Sequence, residues 1–306
     1  MASVPVGKRA GRVPGSLKGQ AFASREQVTN VAIGKKSTIE LKTAEQFQLM
    51  KEAGLILSAA LDTAVAAAAV GVSTSELDAL FAAELAKAGA KSNFLGYYGY
   101  PATICTSVNE QVVHGIPTDR KLEDGDLVSI DGGAIIGGWH ADSARTVIVG
   151  NADPADVELS KATEAAMWNG IAAMATASKV GEVGDAIDDF VTGKYGTKFG
   201  IIEDYTGHGI GSAMHMEPDV LNYRSKHRGP KLRPGMALAI EPILVRGDIA
   251  SRTLADDWTV VTEDGQRAAH WEHSVAVHDG GIWVLTAPDG GAAKLSALGV
   301  TPAPLP

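Results

Sequence analysis

The sequence predicts an α+β fold: two related helix–helix–hairpin halves packed about an approximate twofold axis, with a metal site between them. Three observations predict it. Capping-box patterns open two helices near the start. The stretch "SIDGGAIIGGWHADSART" (129–146) then reads as a hairpin with one acid on each arm. Finally, the order of signals repeats. "GDLVSID" (125–131) falls on "GMALAIE" (235–241) at an offset of 110, and "HADS" (140–143) falls on "HWEH" (270–273) at an offset of 130. Asp131 thereby matches Glu241, and Asp142 matches Glu272.

The elements follow in order. "TAEQ" (43–46) opens a long helix that should end near Gly71. "STSE" (73–76) opens a second, with Leu77, Leu80, Phe81 and Leu85 on one face and a stop at Gly89. A loop rich in Gly and Tyr and the stretch "TSVNEQVVHGIP" lead to the hairpin. A Gly137–Gly138 two-residue turn pairs 136 with 139 and 133 with 142. Side chains alternate along a strand, so Asp131 and Asp142 share a face as diagonal neighbours, ~7–8 Å apart at Cα. Two such carboxylates need a proton, a basic partner or a metal ion. The second half has helices expected at about 155–178 and 183–194, then "TGHGIGSAMHMEP", a strand at "GMALAIEPILV" and a hairpin at "AAHWEHSVAVHDGGIWVL". Its extra twenty residues fit an excursion around "SRTLADDWTVVTEDG".

Composition bounds the class. The 306 residues are 45% hydrophobic and 21% charged, enough for a substantial core. One cysteine excludes an internal disulfide and fits a reducing compartment. No apolar run of about 18 residues exists, and the basic start lacks an apolar signal region, so a cytoplasmic protein is expected. Residues 1–42 carry eight Lys/Arg and two Glu, a balance of +6; the net charge of −9 leaves −15 on the rest. The acidic body argues against DNA binding. We expect 1–42 to be a basic, flexible extension, 43–286 the catalytic domain, and 287–306, rich in Ala, Gly and Pro, a loose tail.

The repeat delivers Asp131, Asp142, Glu241 and Glu272 to one central place. Two dications would balance the four charges, and such a site suits Mn, Fe, Co or Zn. His208, between glycines in "GHGIG", is the expected imidazole ligand.

These residues carry a resemblance. "NEQVVHGIP", "SIDGG" with "HADSART", "GHGIG" with "MHMEP", "AIEP" and "EHS" resemble the type I methionine aminopeptidases over roughly residues 43–285. The resemblance implies the pita-bread fold. It implies that Asp131 chelates one metal, that Asp142 and Glu272 bridge both, and that His208 and Glu241 complete the second. It also makes His114 and His215 substrate-facing, and Phe94, Tyr97, Tyr100, Cys105, Met214 and Trp258 the methionine pocket. The sequence departs from common family forms at Phe94, Tyr98, Met214, Gly132 and Gly133, which bears on pocket detail and not on the ligand set.

The chemistry expected is attack of a metal-activated hydroxide on the first peptide bond, with Glu241 shuttling the proton and His114 and His215 hydrogen-bonding the peptide. The implied substrates are nascent chains with a small second residue. The basic extension suggests docking at the ribosome. Other histidines read as ordinary: His140 and His270 as supporting or sheet residues, His227 as a loop residue, His273 on the opposite face from Glu272, and His278 before a turn. The rivals are an X-Pro aminopeptidase or dipeptidase on the same fold, a non-catalytic binding relative, and a purely structural metal site. Proline-directed relatives usually carry a sizeable N-terminal domain, which a 42-residue basic, Gly-containing segment is not expected to form.

Overall fold

The computed structural model describes residues 38–306. The capping boxes form. Gln46 N–H donates to Thr43 Oγ1 (3.3 Å) while Gln46 Oε1 accepts from Thr43 N–H (2.9 Å), opening α1 (Ala44–Ala67). Ser73 and Glu76 do the same for α2 (Thr74–Lys87). From α1 and α2, Leu57, Leu61, Leu77, Phe81 and Leu85 bury against Ile104, Val128 and Ile130. Leu80, expected on that face, is exposed: 77, 81 and 85 keep the i, i+4 spacing and turn it outward.

The first half continues through β1 (Lys91–Ser92), β2 (Ile104–Val108), β3 (Gln111–Val113), β4 (Leu127–Ile136) and β5 (Trp139–Ile148). β4 pairs with β5 from Ile136↔Trp139 to Leu127↔Ile148, including Gly133↔Asp142, as the turn chemistry requires. Gly137 and Gly138 both have positive φ (57° and 85°), the conformation this turn demands. β1 and β2 share the other edge of β4.

The second half opens with α3 (Pro154–Ala173) and α4 (Gly181–Tyr195). α3 stops short of 178, because Ser178 and Lys179 give their N–H groups to Glu182 at the start of α4. There follow β6 (Gly200–Ile201), β7 (Gly207–Gly209), β8 (Met216–Val220), β9 (Ala237–Ile240), β10 (Ile243–Val245), β11 (Ser251–Thr253), β12 (Val260–Thr262), β13 (Ala268–His270), β14 (His273–His278), β15 (Gly281–Val284) and α5 (Ala292–Ser296). One sheet runs β15-β14-β9-β7-β8. β10 lies between β13 and β6, and the excursion's β12 lies between β11 and β3, tying it to the first half. α3 and α4 bury Leu159, Ala166, Val183 and Ile187 against Leu238, Ile240 and Val275.

The two acid pairs are not congruent. In the first half Asp131 faces Ala144, which leaves Asp142 on the diagonal. In the second, Ile240↔His273 and Ile243↔His270 keep one register, which sets Glu241 against Glu272. The ladder is interrupted between them at Pro242, which has no N–H to donate.

The expected loose tail is corrected. Leu295 of α5 is fully buried, Ala303 N–H donates to Ile282 O (3.0 Å), and Gln48 reaches Pro306 O (2.9 Å). Small residues let this segment dock closely on β15, which composition alone does not reveal. The body also starts before Thr43: Lys42 N–H donates to Gly235 O (2.7 Å). The rest of the expected basic extension, residues 1–37, lies outside the described residues. Among the described residues no helix is long and apolar enough to cross a membrane.

Candidate metal centre

The fold brings Asp142, His208 and Glu272 into one cluster, with Glu241 against His208 and Asp131 within electrostatic reach. Asp142 on β5, His208 on β7 and Glu272 between β13 and β14 each place one ligand atom within 4.8 Å of the others. Glu241 follows β9, and its Oε1 lies 3.3 Å from His208 Nε2. Asp131 on β4 raises the carboxyls of Asp142 and Glu272 by its charge. Glycines flank His208 because the neighbouring backbones press in. A Cβ at 207 would stand 2.3 Å from Ala239 O, and one at 209 would stand 2.2 Å from Glu217 O.

The chemistry of this set fits cations. Asp131 Oδ1, Asp142 Oδ1 and Glu272 Oε1 are buried without a hydrogen-bond partner. Among the described residues, no lysine or arginine pairs with any of the four acids. Burial pushes Glu241 up to about 7 against the opposing charge of His208; burial, with repulsion from neighbouring carboxylates added, pushes Asp131 up to about 7 and Asp142 and Glu272 well above the usual carboxylate range. His208 Nδ1 lies 3.0 Å from Gly209 O. A carbonyl only accepts, so Nδ1 carries a proton, and Nε2 is the nitrogen turned toward Glu241. Lone pairs from five side chains converge where a positive charge is wanted.

His114 and His215 border the cluster. Burial, reinforced by His270, holds His114 down at about 3, and its ring meets Tyr205 edge-on at 5.5 Å. Burial, reinforced by His208, holds His215 well below the ordinary histidine range; its Nδ1 is 3.0 Å from the Tyr97 hydroxyl. Both rings are therefore neutral near pH 7.

His270 is the residue that sequence reasoning undervalued. Its Nε2 is buried 3.7 Å from Glu241 Oε2, and its ring electrostatically opposes the rise at Asp131. The signal was available, because residues 270 and 272 are two apart on an extended chain and so share a face.

Beside the acids lies an apolar cluster. Phe94, Tyr100, Cys105 and Met214 are buried in one cluster with Ala102, and Tyr97, Ile116 and Trp258 pack against it. The six residues expected to line a methionine pocket pack in this one cluster, together with Ala102 and Ile116, which carried no signal in the sequence. Tyr100 stands edge-on to Phe94 (6.3 Å) and Trp258 (5.0 Å), its hydroxyl between Ile104 O (3.0 Å) and Gly115 O (3.2 Å). Cys105 pairs across strands with Asp131, so the cluster abuts the acids. Burial, then the charge of Asp131, pushes the Cys105 thiol up and keeps it uncharged.

Comparison with known proteins agrees with this geometry. Residues 48–279 match the family described as metallopeptidase family M24. The chain belongs to this family. Methionine aminopeptidase 1 of Mycobacterium tuberculosis (strain CDC 1551 / Oshkosh) is 47% identical over 249 residues, covering 80% of this chain and 94% of the relative. The crystal structure of a methionine aminopeptidase from Thermotoga maritima matches with a TM-score of 0.78 at 36% identity, over 81% of this chain and 99% of that one. A prolidase from Pyrococcus furiosus matches with a TM-score of 0.65 at 21% identity, over 81% of this chain and 65% of that one, and shows the fold alone. The fold is the pita-bread fold, and the chain is a hydrolase of the methionine aminopeptidase type.

Proposed function

We propose that the protein removes the N-terminal methionine from polypeptides whose second residue is small. One observation carries the reading: a cation-seeking cluster of four acids and one imidazole abuts an apolar pocket of aromatic and sulfur-bearing side chains. An unbranched thioether fits such a pocket, because aromatic edges contact sulfur favourably.

Asp131, Asp142, His208, Glu241 and Glu272 would together hold the divalent ions. Ions of the Mn, Fe, Co or Zn class held there would supply Lewis acidity to the scissile carbonyl and to the attacking water. Glu241 takes up a proton and passes it toward the leaving amine. Neutral His114 and His215 donate hydrogen bonds to the peptide and to the oxygen that gains charge. Phe94, Tyr97, Tyr100, Cys105, Met214 and Trp258 hold the methionine side chain. We further infer a cytoplasmic enzyme acting on nascent chains, brought to the ribosome by its basic first 42 residues.

The test is cleavage of Met-Ala-Ser and of X-Pro peptides after chelation and after adding back Mn, Co, Fe or Zn. Metal-dependent release of methionine supports the reading. Cleavage directed by proline assigns the protein to the activity of its more distant structural neighbours. No cleavage with any metal leaves a binding relative or a structural metal site.

A further inference from the structure

His208 and His215 stand side by side, their ring centroids 4.3 Å apart. The function proposed above asks opposite things of them. His208 has to offer a lone pair to a cation, and His215 has to offer a proton to the peptide. In a neutral imidazole, the nitrogen that carries the proton is set by what faces the other. His208 faces an acceptor, the Gly209 carbonyl, through Nδ1. His215 Nδ1 instead faces a hydroxyl, that of Tyr97, at 3.0 Å. A phenol is the stronger acid and an imidazole nitrogen the stronger base, which favours donation from Tyr97 to His215.

We propose that Tyr97 is a positioning residue: its hydroxyl donates to His215 Nδ1 and so keeps the His215 proton on Nε2, the nitrogen from which the proposed function needs a donor. The backbone presents the phenol for this. Tyr97 begins a short 3-10 turn, Tyr97–Gly99, entered through Gly96 at φ 84°. Tyr97 N–H donates to Phe94 O, and Tyr100 N–H donates to Tyr97 O, both at 2.9 Å. The same turn therefore holds two walls of the apolar pocket and the donor to His215. Tyr97 and His215 meet with ring centroids 5.5 Å apart at 45°, so the imidazole sits at the rim of the phenol and not stacked on its face. A carbonyl and a phenol thus sort two adjacent, chemically identical side chains into a ligand and a donor. The sequence-based assignment of Tyr97 to the methionine pocket alone is incomplete on this view.

The inference rests on the proposed function for its catalytic consequence but not for its direct test. The full chain, labelled with 15N-histidine and freed of metal, is studied by NMR as wild type and as Tyr97→Phe, with His215→Gln to assign the His215 signals. In the wild type, Nε2 of His215 should be protonated and Nδ1 bare. In Tyr97→Phe the proton should distribute over both nitrogens. With metal, Tyr97→Phe should lose about tenfold in kcat, the worth of one hydrogen bond, with KM within about twofold. A 3-fluorotyrosine placed at 97, which keeps the donor, should restore kcat. A wild-type His215 protonated on Nδ1 overturns the proposal. So does an unchanged proton distribution, or an unchanged kcat, in Tyr97→Phe. If the wild type releases no methionine from any peptide, the proposed function fails and the NMR result still decides the tautomer.

Discussion

Ala144 and Glu272 exchange both of their backbone hydrogen bonds, at 3.3 and 3.0 Å, across the boundary between the two halves. Side-chain hydroxyls extend the seam on either side. Ser274 Oγ bonds both the N–H and the carbonyl of Asp142, and Thr146 Oγ1 bonds both those of His270. The repeat exchanges 142 with 272 and 144 with 274, so the Ala144–Glu272 and Asp142–Ser274 contacts are related by the twofold axis. Two acids from different halves are thus fixed by backbone, not by their own carboxylates, and the carboxylates stay available for cations.

Because those carboxylates repel one another, removing one should stabilise the protein when metal is absent. Glu272→Gln in EDTA should unfold at a higher temperature than wild type, by ~1–3 kcal/mol. With saturating Mn the order should reverse, since ions at 100 times their Kd add ~2.7 kcal/mol to the form that binds them. Thermal unfolding with and without metal checks this. A variant less stable than wild type in EDTA would show that the carboxylates are satisfied without ions.

The pH dependence follows from the burial of these carboxyls. Burial raises the folded-state values of Asp131 and Glu241 to about 7, above their unfolded values. The folded state then holds more protons between about pH 4 and 7, so these groups cost stability as pH rises through that window. Buried neutral His114, held at about 3, acts oppositely, losing stability as pH falls below its unfolded value. A difference experiment separates the two. The stability advantage of Glu241→Gln over wild type, in EDTA, should grow from pH 4.5 to 7 and then level. An advantage flat across that range would refute the shift.

Gly133 tests the packing behind Asp131. A Cβ there would stand 2.3 Å from Asn93 Nδ2, whose amide donates to Ala141 O at 3.0 Å. Gly133→Ala should destabilise by ~1–3 kcal/mol, through overpacking and the loss of that buried bond. Denaturant unfolding measures it; a neutral effect would mean the strand has slack beside the acids.

The residues before α1 belong to the body. Glu40 accepts from the Ser212 N–H (3.1 Å) and its hydroxyl (2.5 Å), on the loop that leads to Met214 and His215. A chain beginning at Thr43 should therefore be less stable than one beginning at Thr38, by ~1–3 kcal/mol, and release methionine more slowly. The chain beginning at Thr38 is the proper partner for the ribosome test. It should pellet with ribosomes less than the full chain at low salt, and equal pelleting would sink docking through the basic extension.

Much of the site was legible because its signals are short-range. Capping boxes fixed where α1 and α2 begin, paired glycines fixed the register of β4 on β5, and alternation along that hairpin put Asp131 and Asp142 on one face. The repeat then named Glu241 and Glu272 as their counterparts. Local torsional preference and side-chain period determine such features, and both are written in neighbouring residues.

Tertiary packing alone decided the rest. It set Glu241 opposite Glu272 while leaving Asp131 and Asp142 diagonal, paired β3 with β12 of the excursion, and folded the Ala- and Gly-rich end onto β15. It also turned His270 toward Glu241 and set the Tyr97 hydroxyl on His215. Each of these joins segments whose relative placement depends on how two cores pack against each other. No local period or turn residue encodes that, because the free energy that selects it is gained only when the halves meet.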